Sequence, residues 1–339
     1  MQEKTKTESL NKYDPLVVIP CLNEARHIGP ILHQMSAAAR RLGGRVVVVD
    51  GGSTDGTVGI VEDILSTDDR ISLLHNRDRI QSAAINLAVA EDGDRATHLI
   101  RIDAHCAYPD DFCDVLMQQA QSVYADSIVV SMIAQGTAPV QRINAATQNA
   151  PIGNGGSAHR NVPSGAYVEH GHHALIKLAA FRAVGGYDPS FTHNEDAELD
   201  YRLGQAGHRI WLTSATSITY FPRPSLFALA QQYFRYGTGR ARNLLKHSVV
   251  PQLRQAKVMM VLPALLLAFL WPLHSLFVLP ALVWSAYCLF TGFRMAWRVR
   301  DPALILCGVA AMTMHFSWSL GFWQRVVRDT VLGGRGVAQ

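Results

Sequence analysis

Short apolar runs separated by longer amphipathic stretches fill the first part of the chain. Residues 16–19, 46–49, 71–74, 99–102 and 128–133 are rich in Val, Ile and Leu and lack polar alternation. That pattern predicts strands covered on both faces. Residues 28–41, 57–65 and 81–90 between them predict helices; in the second, Val58, Val61, Ile64 and Leu65 share one face. Thr54 and Asp55, just before it, offer capping oxygens. Strand–helix alternation implies an α/β fold, a mostly parallel sheet with flanking helices and right-handed crossovers, and ligands bind such sheets at the carboxyl ends of the strands. Residues 135–175 read as loop, with Gly153-Asn-Gly-Gly156 and a His-rich stretch, and are placed to close over a substrate. His170, His172 and His173 alternate beside a strand and read as surface residues rather than metal ligands.

The pattern changes near the C-terminus. Residues 258–273, 275–293 and 303–323 are apolar runs almost free of charge. At about 1.5 Å per residue, roughly 20 residues cross a bilayer, so the second and third are long enough. The first carries Pro263 and Pro272 and reads as half of a hairpin that turns at Trp271-Pro-Leu-His274. Charge reinforces this division. Of 27 acidic residues, 25 lie at or before Asp200 and the next is Asp301. Arg235, Arg240, Arg242, Lys246, Arg254 and Lys257 fall in that gap, which suits an anionic leaflet or a phosphate-bearing substrate. The apolar runs that follow favour a membrane over nucleic acid. With the main domain inside, the hairpin places Arg294, Arg298 and Arg300 inside as well. A full third span would put Arg325 and Arg328 outside, so a re-entrant or broken third segment stays open beside an overridden charge bias.

The 339 residues, 48% hydrophobic, provide for one large core and something smaller. The division this suggests is a polar tail at 1–14, a cytoplasmic catalytic domain at 15–225, basic amphipathic interface helices at 226–257, transmembrane helices at 258–323 and a tail at 324–339. No secretory signal precedes the main domain, which is expected on the cytoplasmic side of the inner membrane. The five Cys are scattered without metal-binding spacing and read as reduced structural thiols.

Four polar motifs carry the chemistry: Asp50-Gly-Gly-Ser-Thr-Asp55, Asp103-Ala-His105, Asn194-Glu195-Asp196 and Gln232-Tyr-Phe-Arg235-Tyr236. A carboxylate at a strand end can hold a nucleotide, a second can hold a divalent metal, one of an acidic pair can act as a base, and an Arg can neutralise a departing diphosphate. Together they are the parts for moving a sugar from a nucleoside diphosphate. Asp50 and Asp55 could instead simply cap a turn and a helix, but Gly51-Gly52 also permits close backbone approach to a ligand. The Glu195–Asp196 pair could simply favour a helix N-terminus.

In combination with Ile19-Pro-Cys-Leu-Asn23-Glu24, Gly185-Gly-Tyr-Asp188 and Asn194-Glu-Asp-Ala-Glu-Leu199, these motifs resemble family-2 inverting glycosyltransferases of GT-A fold, in particular the membrane-bound ExoA-type enzymes of exopolysaccharide synthesis. The resemblance covers about residues 15–250. It implies that Pro20, Asn23, Glu24, Asp50 and Ser53 surround the base and ribose of a UDP-sugar, with Arg79 near the diphosphate. It implies a divalent cation (Mn²⁺ or Mg²⁺) at Asp103 and His105. Imidazole in place of the family's second Asp favours Mn²⁺. Asp196 takes the position of the base with Glu195 beside it, and Gln232, Arg235 and Tyr236 match a Gln-x-x-Arg-Trp motif with Tyr for Trp. The implied reaction is inverting transfer of a hexose, glucose being favoured, to a polyprenyl-diphosphate-linked saccharide at the membrane. A homo-oligomer or an exopolysaccharide assembly complex is compatible with it. The alternatives are a processive synthase, a polyprenyl-phosphate hexosyltransferase and a non-catalytic assembly subunit that binds nucleotide sugar.

Overall fold

The computed structural model describes residues 14–156 and 164–332. The apolar runs become strands and the stretches between them helices, in the order β1 (Pro15–Cys21), α1 (Ile28–Leu42), β2 (Arg45–Asp50), α2 (Thr57–Leu65), β3 (Ile71–His75), α3 (Gln81–Asp92) and β4 (His98–Arg101). There follow β5 (Cys106–Ala107), α4 (Phe112–Ser122), β6 (Ser127–Ala134), β7 (Ala166–Val168), β8 (His172–Lys177), α7 (Leu178–Ala183), α8 (Glu195–Gln205) and β9 (Ile210–Tyr220), with α5 (Pro139–Asn149) and α6 (Pro151–Asn154) between β6 and β7. The strands form one sheet in the order β3-β2-β1-β4-β8-β6-β9-β5, with β7 also on β9.

The sheet is parallel across β3, β2, β1 and β4, as the strand–helix alternation requires. Beyond β4 it is antiparallel, β4 pairing with β8 and β8 with β6. The parallel register sets Cys21 beside Asp50 and Asp50 beside His75, so the carboxyl ends of three strands finish level. Leu16, Val18, Val47, Val49 and Leu99 from the strands pack with Ile85, Phe181, Tyr187 and Leu199 from flanking segments in one buried cluster. Removing a large member of such a cluster costs about 2–5 kcal/mol, which is what keeps the strand ends in place.

The chain forms two compact units: residues 14–133 with 164–220, and residues 134–156 with 221–332. The contiguous 15–225 domain expected from sequence is therefore interrupted. The 135–175 loop is also corrected, since α5, α6, β7 and most of β8 lie within it. Pro139 and Pro151 each open a helix at a first-turn position where a missing N–H is harmless. Residues 157–163 of the expected loop, the tail at 1–13 and residues 333–339 lie outside the described residues.

The second unit contains α5, α6, α9 (Leu226–His247), α10 (Leu253–Met259), α11 (Val261–Ala268), α12 (Leu279–Val299) and α13 (Cys307–Val327). Ile143, Leu229, Leu304, Cys307, Ala310 and Met314 form its main buried cluster. Two segments, Ser275–Val299 and Pro302–Val331, are long and apolar enough to cross a membrane. The first apolar run is not, because α10 and α11 are short and separate.

Candidate active site

Two loops at the level strand ends are laced together. Asn23, in the left-handed region at φ 58°, donates its N–H to Ser53 Oγ (2.8 Å) and accepts the Thr54 N–H on Oδ1 (2.8 Å). Thr57 Oγ1 accepts the Glu24 N–H, and Asp55 accepts those of Ala25 and Thr57. The N-cap of α2 is Gly56, without a side-chain cap; Asp55 accepts the Thr57 N–H and hydroxyl from the turn before it, and the Thr54 hydroxyl turns to Asn23. Asp50 is buried and its carboxylate accepts the N–H groups of Gly52 (2.8 Å) and Ser53 (3.0 Å). Its visible role is to hold this turn. Gly52 has φ 89°, a left-handed backbone that this turn requires and glycine adopts without strain, and the Arg79 guanidinium lies in ordinary contact range above it.

These loops and the start of α3 enclose a cleft of about 220 Å³, lined by Pro20, Glu24, Gly51, Arg79, Asp103 and His105 among others. On its floor Asp103 Oδ1 accepts from Gln81 Nε2 (2.6 Å) and Arg101 Nε (3.2 Å). Asp103 Oδ2 has His172 Nε2 at 3.6 Å. Burial opposes its ionisation, yet the Arg101, His172 and His105 charges hold the carboxyl well below the ordinary range. At the rim Glu24 faces two imidazoles, His105 Nδ1 at 3.1 Å and His27 Nδ1 at 2.9 Å. Burial raises and these hydrogen bonds lower its pKa, with a net fall.

Arg101 ties the cleft to the acidic pair. It is 7% exposed, and its Nη1 lies 2.6 Å from Asp196 Oδ1 while its Nε serves Asp103. Tyr187 also donates to Asp196 Oδ1 (2.9 Å), and His172 Nδ1 lies 3.7 Å from Asp196 Oδ2. Against burial, Arg101, His173 and His172 keep Asp196 ionised below its usual pKa. Glu195 behaves oppositely: burial and then the Asp196 charge push it up to about 7. The neighbouring carboxyls thus have separated proton affinities, the usual arrangement for acid–base work.

The histidines correct the surface assignment. His173 is fully buried, 2.9 Å from Asp200 and 3.0 Å from Ser127 Oγ, and His170 reaches Asp200 at 2.7 Å. His172 lies between Asp103 and Asp196. Arg101 and Gln81 had no functional part in the sequence reading, and Tyr187 entered it only within the Gly185–Asp188 motif, without a role. The available signal was a charged residue closing an apolar strand two positions before Asp103. Gln232, Arg235 and Tyr236 lie together on α9 in the second unit, with Gln232 Nε2 donating to the Tyr236 hydroxyl (2.9 Å).

Among the described residues no three His, Cys, Asp or Glu side chains converge as a complete metal site. The donors present still fit a hard divalent cation. Mg²⁺ and Mn²⁺ sites in phosphate enzymes take one or two protein ligands and complete their shell with phosphate oxygens and water. Asp103 Oδ2 and His105 border the same cleft and supply such a partial set.

A sheet of this kind, with a cleft between laced loops and carboxylates at the strand ends, is the setting in which the family is identified. Residues 16–185 match the glycosyl transferase family 2 domain, and the chain belongs to that family of glycosyltransferases with a GT-A-like fold. It is 50% identical over 321 residues to the succinoglycan biosynthesis protein ExoA of Rhizobium meliloti (strain 1021), covering 95% of this chain and 97% of that one. Among solved structures, the mannosyltransferase PcManGT of Pyrobaculum calidifontis, in complex with GDP-Man and Mn²⁺, shares the fold. The TM-score is 0.57 over 93% of this chain and 88% of that chain, at 18% identity.

Proposed function

We propose that this enzyme transfers a single hexose, with inversion, from a UDP-sugar to a polyprenyl-diphosphate-linked saccharide in the synthesis of a succinoglycan-type exopolysaccharide. One observation carries the chemistry: Arg101 holds Asp103 at the cleft floor and Asp196 beside it, so a metal-binding carboxylate and a base share one buried cation. Half-identity to ExoA over nearly the whole chain supports the pathway. UDP-glucose is the favoured donor. Pro20, Asn23, Glu24, the Asp50 turn and Ser53 surround the nucleoside, and Arg79 meets the diphosphate. A divalent cation bound by Asp103 and His105 would supply charge neutralisation to the departing diphosphate. Arg235 adds a further positive charge, and Gln232 with Tyr236 forms part of the acceptor platform.

Asp196 Oδ2 is the oxygen not taken by Arg101 and Tyr187, and it accepts the acceptor hydroxyl's proton as the hydroxyl attacks the anomeric carbon. Such a base contributes about 10²–10⁴ in rate. A second assignment, Glu195 as base, is favoured by its raised pKa, since a base that titrates near the working pH is the more effective. Asp196→Asn and Glu195→Gln separate the two. The variant missing the base loses turnover at all pH values with donor affinity kept, and the other shifts only the pH profile. Near-normal turnover in both variants would rule out a carboxylate base at this pair.

The membrane reading belongs to the same proposal. The basic segment from Arg235 to Lys257 and the apolar helices after it seat the enzyme on the inner membrane, with the catalytic unit cytoplasmic, where nucleotide sugar and lipid-borne acceptor meet.

A further inference from the structure

Length and composition would let α13 cross a bilayer, but its packing partner argues otherwise. Among the described residues the α9–α13 pair is the most extensive helix–helix packing, and its contacts advance together along both helices, so the two run parallel. Leu229 shares a buried cluster with Cys307, Ala310 and Met314. Further along, the Thr238 hydroxyl donates to Gly321 O (3.3 Å). Backbones touch in this stretch: a Cβ on Gly237 would sit 2.0 Å from Trp318 O, and one on Gly321 would sit 2.0 Å from Phe234 O. Two helices joined lengthwise in this way occupy the same depth in any membrane.

Helix α9 is not built for hydrocarbon. It carries Arg235, Arg240, Arg242, Lys246 and His247, and Gln231, Arg235 and Lys246 are exposed. A crossing α13 would carry exposed Gln231 and Arg235, which lie level with its middle, into the bilayer core, where such groups are excluded unless they face a protein interior or a water-filled cavity. The other side of the unit has the opposite character. Only 17% of the apolar window in Ser275–Val299 is buried within the protein, against 44% for Pro302–Val331. Phe269 (79%), Trp271 (63%) and Leu273 (77%) are exposed at the turn before it.

The first arm of the hairpin leading to α12 is too short to cross. The eight residues of α11 extend about 12 Å, less than half of a hydrocarbon core of about 30 Å, so α12, about 31 Å long, shares that depth only when strongly tilted. Arg254 and Lys257 precede the hairpin, and Arg294, Arg298 and Arg300 close it, so both ends are marked for the same headgroup layer.

We infer that the second unit is seated in one leaflet and crosses no bilayer. The α11–turn–α12 hairpin is immersed in the acyl chains of that leaflet, with Phe269, Trp271 and Leu273 at its deepest point. The α9–α13 pair lies at the headgroup level, with the basic residues of α9 beyond Arg235 toward lipid phosphate. This rests on the membrane reading above and resolves the orientation of the last segment, because Arg325 and Arg328 then stay on the face that carries Arg294–Arg300.

The test uses the full chain in sealed membrane vesicles of both orientations. It reads protease access to tags at each terminus and impermeant maleimide labelling of His274→Cys. The five native cysteines are buried, which keeps the background low. The expected result is both tags cleaved from one face only, with the residue 274 thiol labelled from neither face until detergent is added. Tags on opposite faces would overturn the inference by showing that α13 crosses. Labelling at residue 274 from the face opposite the tags would overturn it by showing a spanning hairpin. Extraction of the protein by alkaline carbonate would overturn it together with the membrane reading itself. The tag experiment on the otherwise unaltered chain decides the matter if His274→Cys does not fold.

Discussion

Arg101 is the residue on which the site turns, and replacing it with Met gives a quantitative test. Met keeps the length of the side chain but removes the charge shared by Asp103 and Asp196, whose oxygens lie 3.2 and 2.6 Å from the guanidinium. All three groups are largely buried, at 7%, 12% and 14% exposure, so solvent screens the loss poorly. Breaking a buried ion pair by removing one partner costs about 3–5 kcal/mol, and here one removal takes the shared guanidinium from two carboxylates, leaving them Gln81, Tyr187 and His172. The effect depends on pH with a definite sign. In the intact protein both carboxyls are held below their ordinary pKa, so their stabilising contribution is present above the ordinary carboxylate range and lost as pH falls through the folded values. Without Arg101, burial and mutual repulsion raise both pKa values, and the penalty is largest where both are ionised. Denaturant unfolding of detergent-solubilised Arg101→Met should show a loss of about 3–5 kcal/mol near pH 7.5, shrinking toward pH 4. Arg101→Lys should recover part of it, since one ammonium cannot reproduce the two-pronged contact. A loss below about 1 kcal/mol at neutral pH, or an equal loss at both pH values, would refute the reasoning.

Other outcomes follow from the same geometry. Exhaustive chelation should abolish transfer, with Mn²⁺ restoring more than Mg²⁺ in the wild type and His105→Asp reversing that order; full activity after chelation would leave the leaving group to Arg79 and Arg235 alone. Gly237→Leu should separate α9 from α13, because its side chain would start 2.0 Å from Trp318 O, and should give a protein that aggregates in detergent while Gly204→Leu, with open space around it, does not. Asp50→Asn should weaken UDP binding by about tenfold through loss of charge-assisted bonds to the Gly52 and Ser53 N–H groups; unchanged nucleotide affinity by calorimetry would limit the carboxylate to a neutral turn-forming role.

Much of the parallel half of the sheet was readable because its strands are uninterrupted Val, Ile and Leu runs that end in motif residues. Val46–Val49 and Asp50 are the clearest case, four residues at 1% exposure or less followed by the turn-forming carboxylate. The antiparallel half was harder, because β8 contains His172 and His173, whose alternation resembles a solvated edge. Only pairing with β4 and β6 shows that they face buried carboxylates, His172 facing Asp103 and Asp196 and His173 facing Asp200. Arg101 was illegible for the same reason: its partner Asp196 lies 95 residues away in sequence. α5 was missed because Val140, Ile143 and Ala146 give a thin apolar stripe among polar neighbours. In α9 the basic charge was plain, but the close approach to α13 is made at Gly237, and Gly239 and Ala241 are buried beside it, small residues that hydropathy does not register.

The most direct test of the account is a single-turnover-to-completion assay with purified protein, UDP-glucose and a polyprenyl-diphosphate-linked saccharide, reading UDP release, product mass and the anomeric configuration of the new linkage. The account predicts acceptor-dependent release of one UDP per acceptor, addition of one hexose and an inverted anomer, all lost in the variant that removes the base. Acceptor-independent release, a ladder of longer products or a retained anomer would contradict it.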